Sequence, residues 1–112
     1  MNYPGLASHA RHALAREQMH DFGSVVSFDL EGGLEAARVF SDALEFFAIA
    51  SSLGSVESLV MPAQLLKPRG LTAEQVAISG ISDGTVRLSI GIEDTDDLIA
   101  DLDAALTRVA EA

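Results

Sequence analysis

The residue best placed to do chemistry is Arg87, a lone cation in the middle of the run TVRLSI at 85–90. A mid-strand guanidinium must either reach solvent or hold an anion. Other chemistry-bearing residues are less well supported by their surroundings. His9 and His12 are three apart on an expected helix, so they would share a face and could begin a metal site. No third ligand is spaced to join them, and no metal is expected. Gly32 and Gly33 follow a strand and open a helix, a place that suits phosphate. Asp29 and Glu31 beside them would repel one, and no Gly-rich loop of either common spacing is present. No serine stands in a GxSxG context. The chain has no cysteine, which removes a thiol nucleophile, a thiolate metal site and a disulfide framework. Lys67 is the only lysine and precedes Pro68 in a loop. These residues give one candidate anion-binding arginine and no complete active site: no catalytic and no metal-binding residue is assigned.

The whole chain argues for a folded acidic domain. With 112 residues, 48% hydrophobic and 21% charged, it is long enough for one domain with a modest core. The formal net charge of -10 opposes binding to nucleic acid or anionic membranes, which call for the opposite sign. No apolar run approaches the roughly 20 residues of a spanning helix. The opening MNYPGLASHA lacks the order of a signal peptide, so the expected location is cytoplasmic. Its Pro4-Gly5 turn has no element before it, as expected of a chain cut from something longer.

The elements that must position Arg87 follow from periodicity. Val86, Leu88 and Ile90 alternate with Thr85, Arg87 and Ser89, a period of two that puts the apolar trio on one face. Gly91 ends that strand. Asp94 or Thr95 can cap a long helix whose stripe is Leu98, Ile99, Leu102, Ala105, Leu106 and Val109. Upstream, Ser8 can cap a helix through about residue 19 with a thin stripe of Ala10, Ala13 and Leu14. Residues 24–30, SVVSFDL, read as a strand with Val26, Phe28 and Leu30 facing one way. Residues 34–47 read as a helix burying Leu34, Ala37, Phe40, Ser41, Leu44 and Phe47, with Arg38 and Asp42 able to pair on its outer side. Short strands are expected at 47–50 and 57–61, then a loop at 62–70. Thr72 and Gln75 form a capping box for a short helix at 73–79. The order predicts an α+β sandwich. Its four-stranded sheet would be small and mostly antiparallel, with the helices on one face and Arg87, Ser89, Val25, Ser27 and Asp29 on the other. That second face must meet solvent or another domain.

Four blocks carry a family resemblance: YPGLASHARHALAREQM, GSVVSFDLEGGLEAARVF, SSLGSVESL and ISDGTVRLSIGIEDTDDLIADLDAAL. Together and in order they resemble the C-terminal part of the cystathionine γ-synthase / methionine γ-lyase family, pyridoxal-phosphate (PLP) enzymes of cysteine and methionine metabolism. The resemblance runs from Tyr3 to about Leu106. It implies that residues 1–112 are the single small C-terminal domain of a fold-type I PLP enzyme, with the large PLP-binding domain absent from the chain. It implies that Arg87, in the RLS block, forms a bidentate salt bridge with the substrate α-carboxylate, in keeping with the fork geometry and permanent charge of arginine. Ser52, in the SLG block, matches the family serine near that carboxylate. The cofactor lysine and the residues that hold the PLP ring and phosphate belong to the absent domain, and Lys67 matches none of them. PLP is therefore expected in the full-length enzyme and none on this chain alone. The implied partners are an amino-acid substrate, the missing N-terminal domain and further copies in a homo-oligomer. The implied reactions are β- or γ-elimination or replacement on sulfur amino acids or homoserine esters. Ser51 stands where two branches often have glutamate, and PAQLLKPRG replaces the family's PA-x-MTH segment, so neither substrate nor branch is chosen. The alternative is a free-standing amino-acid-binding or protein-interaction module derived from this domain.

Overall fold

The computed structural model describes residues 1–67 and 70–112. Helix α1 spans His12–Gln18, strand β1 Val25–Asp29, helix α2 Gly33–Ala43 and strand β2 Ala48–Ile49. Strand β3 spans Leu59–Pro62, helix α3 Ala63–Leu66, helix α4 Ala73–Ser79, strand β4 Thr85–Ser89 and helix α5 Thr95–Glu111. The four strands form one sheet in the order β1-β4-β3-β2. β4 pairs antiparallel with β1 and with β3, while β2 pairs parallel with β3. The sheet is thus mixed, with the parallel pair confined to two residues at one edge.

The register explains the core. Val26 and Phe28 on β1 lie opposite Leu88 and Val86 on β4, and Val60 on β3 lies opposite Leu88 from the other side. These side chains share one face, and α2 and α5 cover it with Ala37, Phe40, Leu44, Leu98 and Ala105. Phe40 is fully buried, and the ring of Phe28 meets it edge-on with centroids 5.4 Å apart. Burying an aromatic side chain of this size contributes about 2–3 kcal/mol. This cluster fixes the orientation of β4 and so decides which way Arg87 points. Gly84, just before β4, is buried against the chain after β1: a Cβ there would stand 2.1 Å from the Leu30 carbonyl oxygen.

Two caps expected from sequence form as anticipated. The Asp94 carboxylate accepts the Asp97 N–H at the start of α5, where Asp96 and Asp97 also face the positive end of the helix dipole. Thr72 and Gln75 close a reciprocal capping box on α4, and Gly80 ends that helix at φ +75°, a conformation that favours glycine.

Several boundaries and faces differ from expectation. α1 begins at His12, not after Ser8, and no side chain caps it. Residues before it form turns held by bonds from Leu6 N–H to Tyr3 O, His9 N–H to Leu6 O and His12 N–H to His9 O. Ala10, Ala13 and Leu14 are exposed, and Ala15 is the buried residue. The later start leaves only 7 helical residues and removes Ala10 from the helix. Leu34 is 48% exposed, and the buried side of α2 begins at Ala36 and Ala37. α2 also stops at Ala43, four residues before the expected end. The reason is tertiary. Asp101 on α5 accepts the N–H groups of Glu45 and Phe46, each at 2.9 Å, which a continuing helix would have sent to Ser41 and Asp42. Residues 62–70, expected as a loop, contain the single helical turn α3, preceded by an extended Pro62. Pro68 and Arg69 of that stretch lie outside the described residues. On α5, Ile99 and Leu106 are 59% and 44% exposed, so the buried stripe is narrower than the apolar one. No described helix is long and apolar enough to cross a membrane.

Candidate functional site

The site is built on the face of the sheet that α2 and α5 do not cover. Strand pleating places Thr85, Arg87 and Ser89 of β4 together on that face. Ser27 of β1 and Met61 of β3 flank Arg87 in register. Residues 2–9 fold over one side: Asn2 exchanges two backbone hydrogen bonds with Ser27, at 2.6 and 3.3 Å. The result is a cleft of about 430 Å³ whose walls include Asn2, Pro4, His9, Ser27, Leu66, Ile81 and Arg87.

Arg87 is half-buried in this cleft. Its Nη2 donates to the backbone carbonyl of Ser52 at 3.1 Å. Its Nε is buried and has no acceptor. No carboxylate among the described residues pairs with it; the ion pairs are those of Arg38 with Glu35 and Asp42, and of Lys67 with Asp83. A buried, unbonded donor on a charged group is costly, so the fork has unused capacity for an anion that enters the cleft.

Ser52 is brought to Arg87, but through its main chain and not its hydroxyl. It is exposed and lies on the connection between β2 and β3. That connection is tied to β4 and to the turn after it. Gly54 N–H donates to Ser89 Oγ at 3.0 Å. Ile92 N–H donates to the Val56 carbonyl at 2.9 Å. Glu93 accepts both the N–H and the hydroxyl of Ser58, each at 2.8 Å, while Ser58 Oγ accepts the Gly91 N–H at 2.9 Å. The Ser58 N–H, Glu93's own N–H and the Ser58 hydroxyl together hold the Glu93 carboxyl below its usual range, against a smaller opposing effect of burial. Sequence reasoning did not single out Ser89, Ser58 or Glu93. Ser89 lies on the strand that carries Arg87 and Glu93 follows it closely, whereas Ser58, just before β3, joins them only through the fold.

The two histidines separate. His9 Nε2 meets Asn2 Oδ1 at 2.9 Å, and His12 Nδ1 meets the Pro4 carbonyl at 2.7 Å while its ring stacks on Phe22. Among the described residues no group of three His, Asp, Glu or Cys side chains could hold a metal. At the start of α2, Gly33 N–H bonds to the Leu30 carbonyl and Glu35 occupies the first turn, which leaves an acidic and not a phosphate-binding terminus.

The four-stranded α+β sheet with its covering helices is shared with closely similar solved structures, which are fold-type I PLP enzymes. The sequence model described as Cys/Met metabolism PLP-dependent enzyme matches residues 1–107, and the chain belongs to this family. It is 47% identical over 110 residues to L-methionine γ-lyase of Pseudomonas putida, covering 98% of this chain and 28% of that one. It is 41% identical over 107 residues to O-succinylhomoserine sulfhydrylase of Pseudomonas aeruginosa, covering 96% of this chain and 27% of that one. The crystal structure of cystathionine γ-synthase from Xanthomonas oryzae pv. oryzae superposes with a TM-score of 0.90 at 50% identity, covering 97% of this chain and 28% of that one. The chain thus spans little more than a quarter of the length of these relatives.

The residues present do not fit PLP itself. The chain's one amine side chain, Lys67, is ion-paired with Asp83 and does not line the Arg87 cleft. The cleft presents the guanidinium of Arg87.

Proposed function

We propose that the chain is the substrate-carboxylate-binding C-terminal domain of a PLP-dependent trans-sulfuration-type enzyme. Within the assembled enzyme it presents Arg87 to the α-carboxylate of an amino-acid substrate, and Ser52 lies beside it. The reaction class is β- or γ-elimination or replacement on sulfur amino acids or homoserine esters, with PLP held by the large N-terminal domain of a cytoplasmic homo-oligomer. The chain by itself is inactive and holds no PLP. The observation that carries this reading is the buried Arg87 Nε without an acceptor, next to an Nη2 that is already oriented. A carboxylate is the ligand whose two oxygens answer such a fork.

The test is complementation. The chain is mixed with the lysine-bearing N-terminal part of the Pseudomonas putida L-methionine γ-lyase, with PLP and L-methionine, and 2-oxo acid release is followed. Turnover is expected with the native chain. With Arg87→Ala the PLP absorbance should persist while KM rises about 100-fold or more, the value of two charge-assisted hydrogen bonds. An unchanged KM refutes the assignment. A second reading, a free-standing interaction module, draws on a different feature. An apolar groove of about 620 Å³ lies between β1 and α5, lined by Met1, Tyr3, Val26, Ile90 and Leu106 among others. Self-association of the folded chain, together with no complementation, would favour that reading.

A further inference from the structure

Arg87 and Ser89 are two residues apart on β4, so they project from the same face about 7 Å apart. The loop beside them meets both side chains through its main chain. Arg87 Nη2 donates to the carbonyl of Ser52, and two residues on, Gly54 N–H donates to the hydroxyl oxygen of Ser89. Two polar side chains of the strand therefore hold the loop backbone at two points. The two points are not equivalent. Ser89 is 1% exposed, so its hydroxyl oxygen is shielded from water, and the amide of an exposed glycine reaches in to use it. Arg87 is only half-buried, and among the described residues the Ser52 carbonyl is the one acceptor that fixes the direction of its fork.

We infer that Ser89 is a positioning residue for the carboxylate site: its hydroxyl fixes Gly54, which places the Ser52 carbonyl, which aims the Arg87 guanidinium into the cleft. The inference deepens the carboxylate-binding reading and rests on it for its functional consequence. Its structural content stands apart. The far end of the loop is held independently by the Ser58–Glu93 contacts and the Val56–Ile92 bond, so the loss of Ser89's bond should free residues 51–54 and leave the sheet intact.

The experiment uses the 112-residue chain, labelled with ¹⁵N, and reads the Gly54 amide and the Arg87 Nε–H by NMR. In Ser89→Ala the Gly54 amide should exchange roughly 10-fold faster and the Arg87 Nε–H signal should broaden, while the Val86 and Leu88 amides keep their protection. Ser89→Thr keeps the hydroxyl and should restore both signals. Ser89→Cys keeps the side-chain shape in a slightly larger group with a much weaker acceptor and should behave like Ser89→Ala. Where L-methionine shifts the Arg87 signal in the native chain, Ser89→Ala should weaken that response about 3- to 10-fold.

An Arg87 signal unchanged in Ser89→Ala overturns the inference, because Ser89 would then hold Gly54 alone. Failure of Ser89→Thr to rescue while Ser89→Cys does so also overturns it, since volume and not the hydroxyl would be responsible. If L-methionine leaves the native chain's Arg87 signal unmoved, the carboxylate reading loses its support. The Gly54 and Arg87 signals of the variants still decide whether Ser89 aims the fork.

Discussion

Replacing Asp101 tests the structural argument most directly. Asp101 lies on the buried side of α5, 7% exposed, in a helix whose other acids face water. Its two carboxylate oxygens each accept one backbone N–H, from Glu45 and Phe46, at 2.9 Å. Both donors belong to the chain leaving α2, and both would be helical if α2 continued. Asp101→Ala removes two charge-assisted hydrogen bonds, each worth about 1.5–3 kcal/mol. Glu45 and Phe46 are exposed, so water can recover part of that loss. A net destabilisation of about 2–4 kcal/mol is expected, a large share of the roughly 5–15 kcal/mol that holds a domain of this size. In urea, with a slope of about 1.5 kcal/mol per molar, the midpoint should fall by about 1.3–2.7 M with the slope unchanged. Asp101→Asn keeps one acceptor but turns an amide donor toward an N–H, and should recover less than half of the loss. By contrast Asp103→Ala, an exposed acid on the same helix, should change stability by less than about 0.5 kcal/mol. Equal stability of the Asp101 and Asp103 variants would refute the claim that Asp101 terminates α2.

Gly84→Ala would drive a methyl group to within 2.1 Å of the Leu30 carbonyl, so the β1–β4 ladder should loosen. The expected cost is about 1–3 kcal/mol with faster amide exchange at Phe28 and Val86, and a variant as stable as the native chain would contradict the close approach. Glu93 supplies a pH dependence. Its carboxyl is held below the ordinary value of 4.5, chiefly by the Ser58 N–H, so its contribution to stability is fully present above that value. It is lost as pH falls through the lowered folded-state value. Glu93→Gln should therefore flatten stability against pH in the acid limb below about 4.5, and an acid limb identical to that of the native chain would remove Glu93 from the loop's anchoring.

Much of the frame was legible in order along the chain. The alternation in 85–90 and in 24–30 follows from strand geometry alone, and it correctly put Val86, Leu88, Val26 and Phe28 on the core face. The Asp94 cap and the Thr72–Gln75 box were legible for a similar reason: donor and acceptor lie three residues apart, so no distant partner is needed. The stretches that misled were those where a distant group outbid the local pattern. Residues 44–47 continue a helical stripe, yet Asp101, more than fifty residues away, takes the amides of Glu45 and Phe46. Residues 8–11 carry a helix cap in sequence, yet the contact of Asn2 with Ser27 and the bonds of His9 and His12 to residues 2–4 hold them in turns.

The candidate site divides the same way. Sequence by itself determined that a lone arginine stands on the polar side of a half-apolar strand, because side-chain direction in a strand follows from counting by twos. Its resemblance to a family added Ser52. Only the tertiary structure decided that Arg87 reaches Ser52 by a main-chain carbonyl, that its Nε lies buried without an acceptor, and that Ser89, Ser58 and Glu93 anchor the intervening loop. Those relations join residues more than thirty positions apart. They depend on the β1-β4-β3 register, which brings the strand and the loop together, and no local spacing encodes that register.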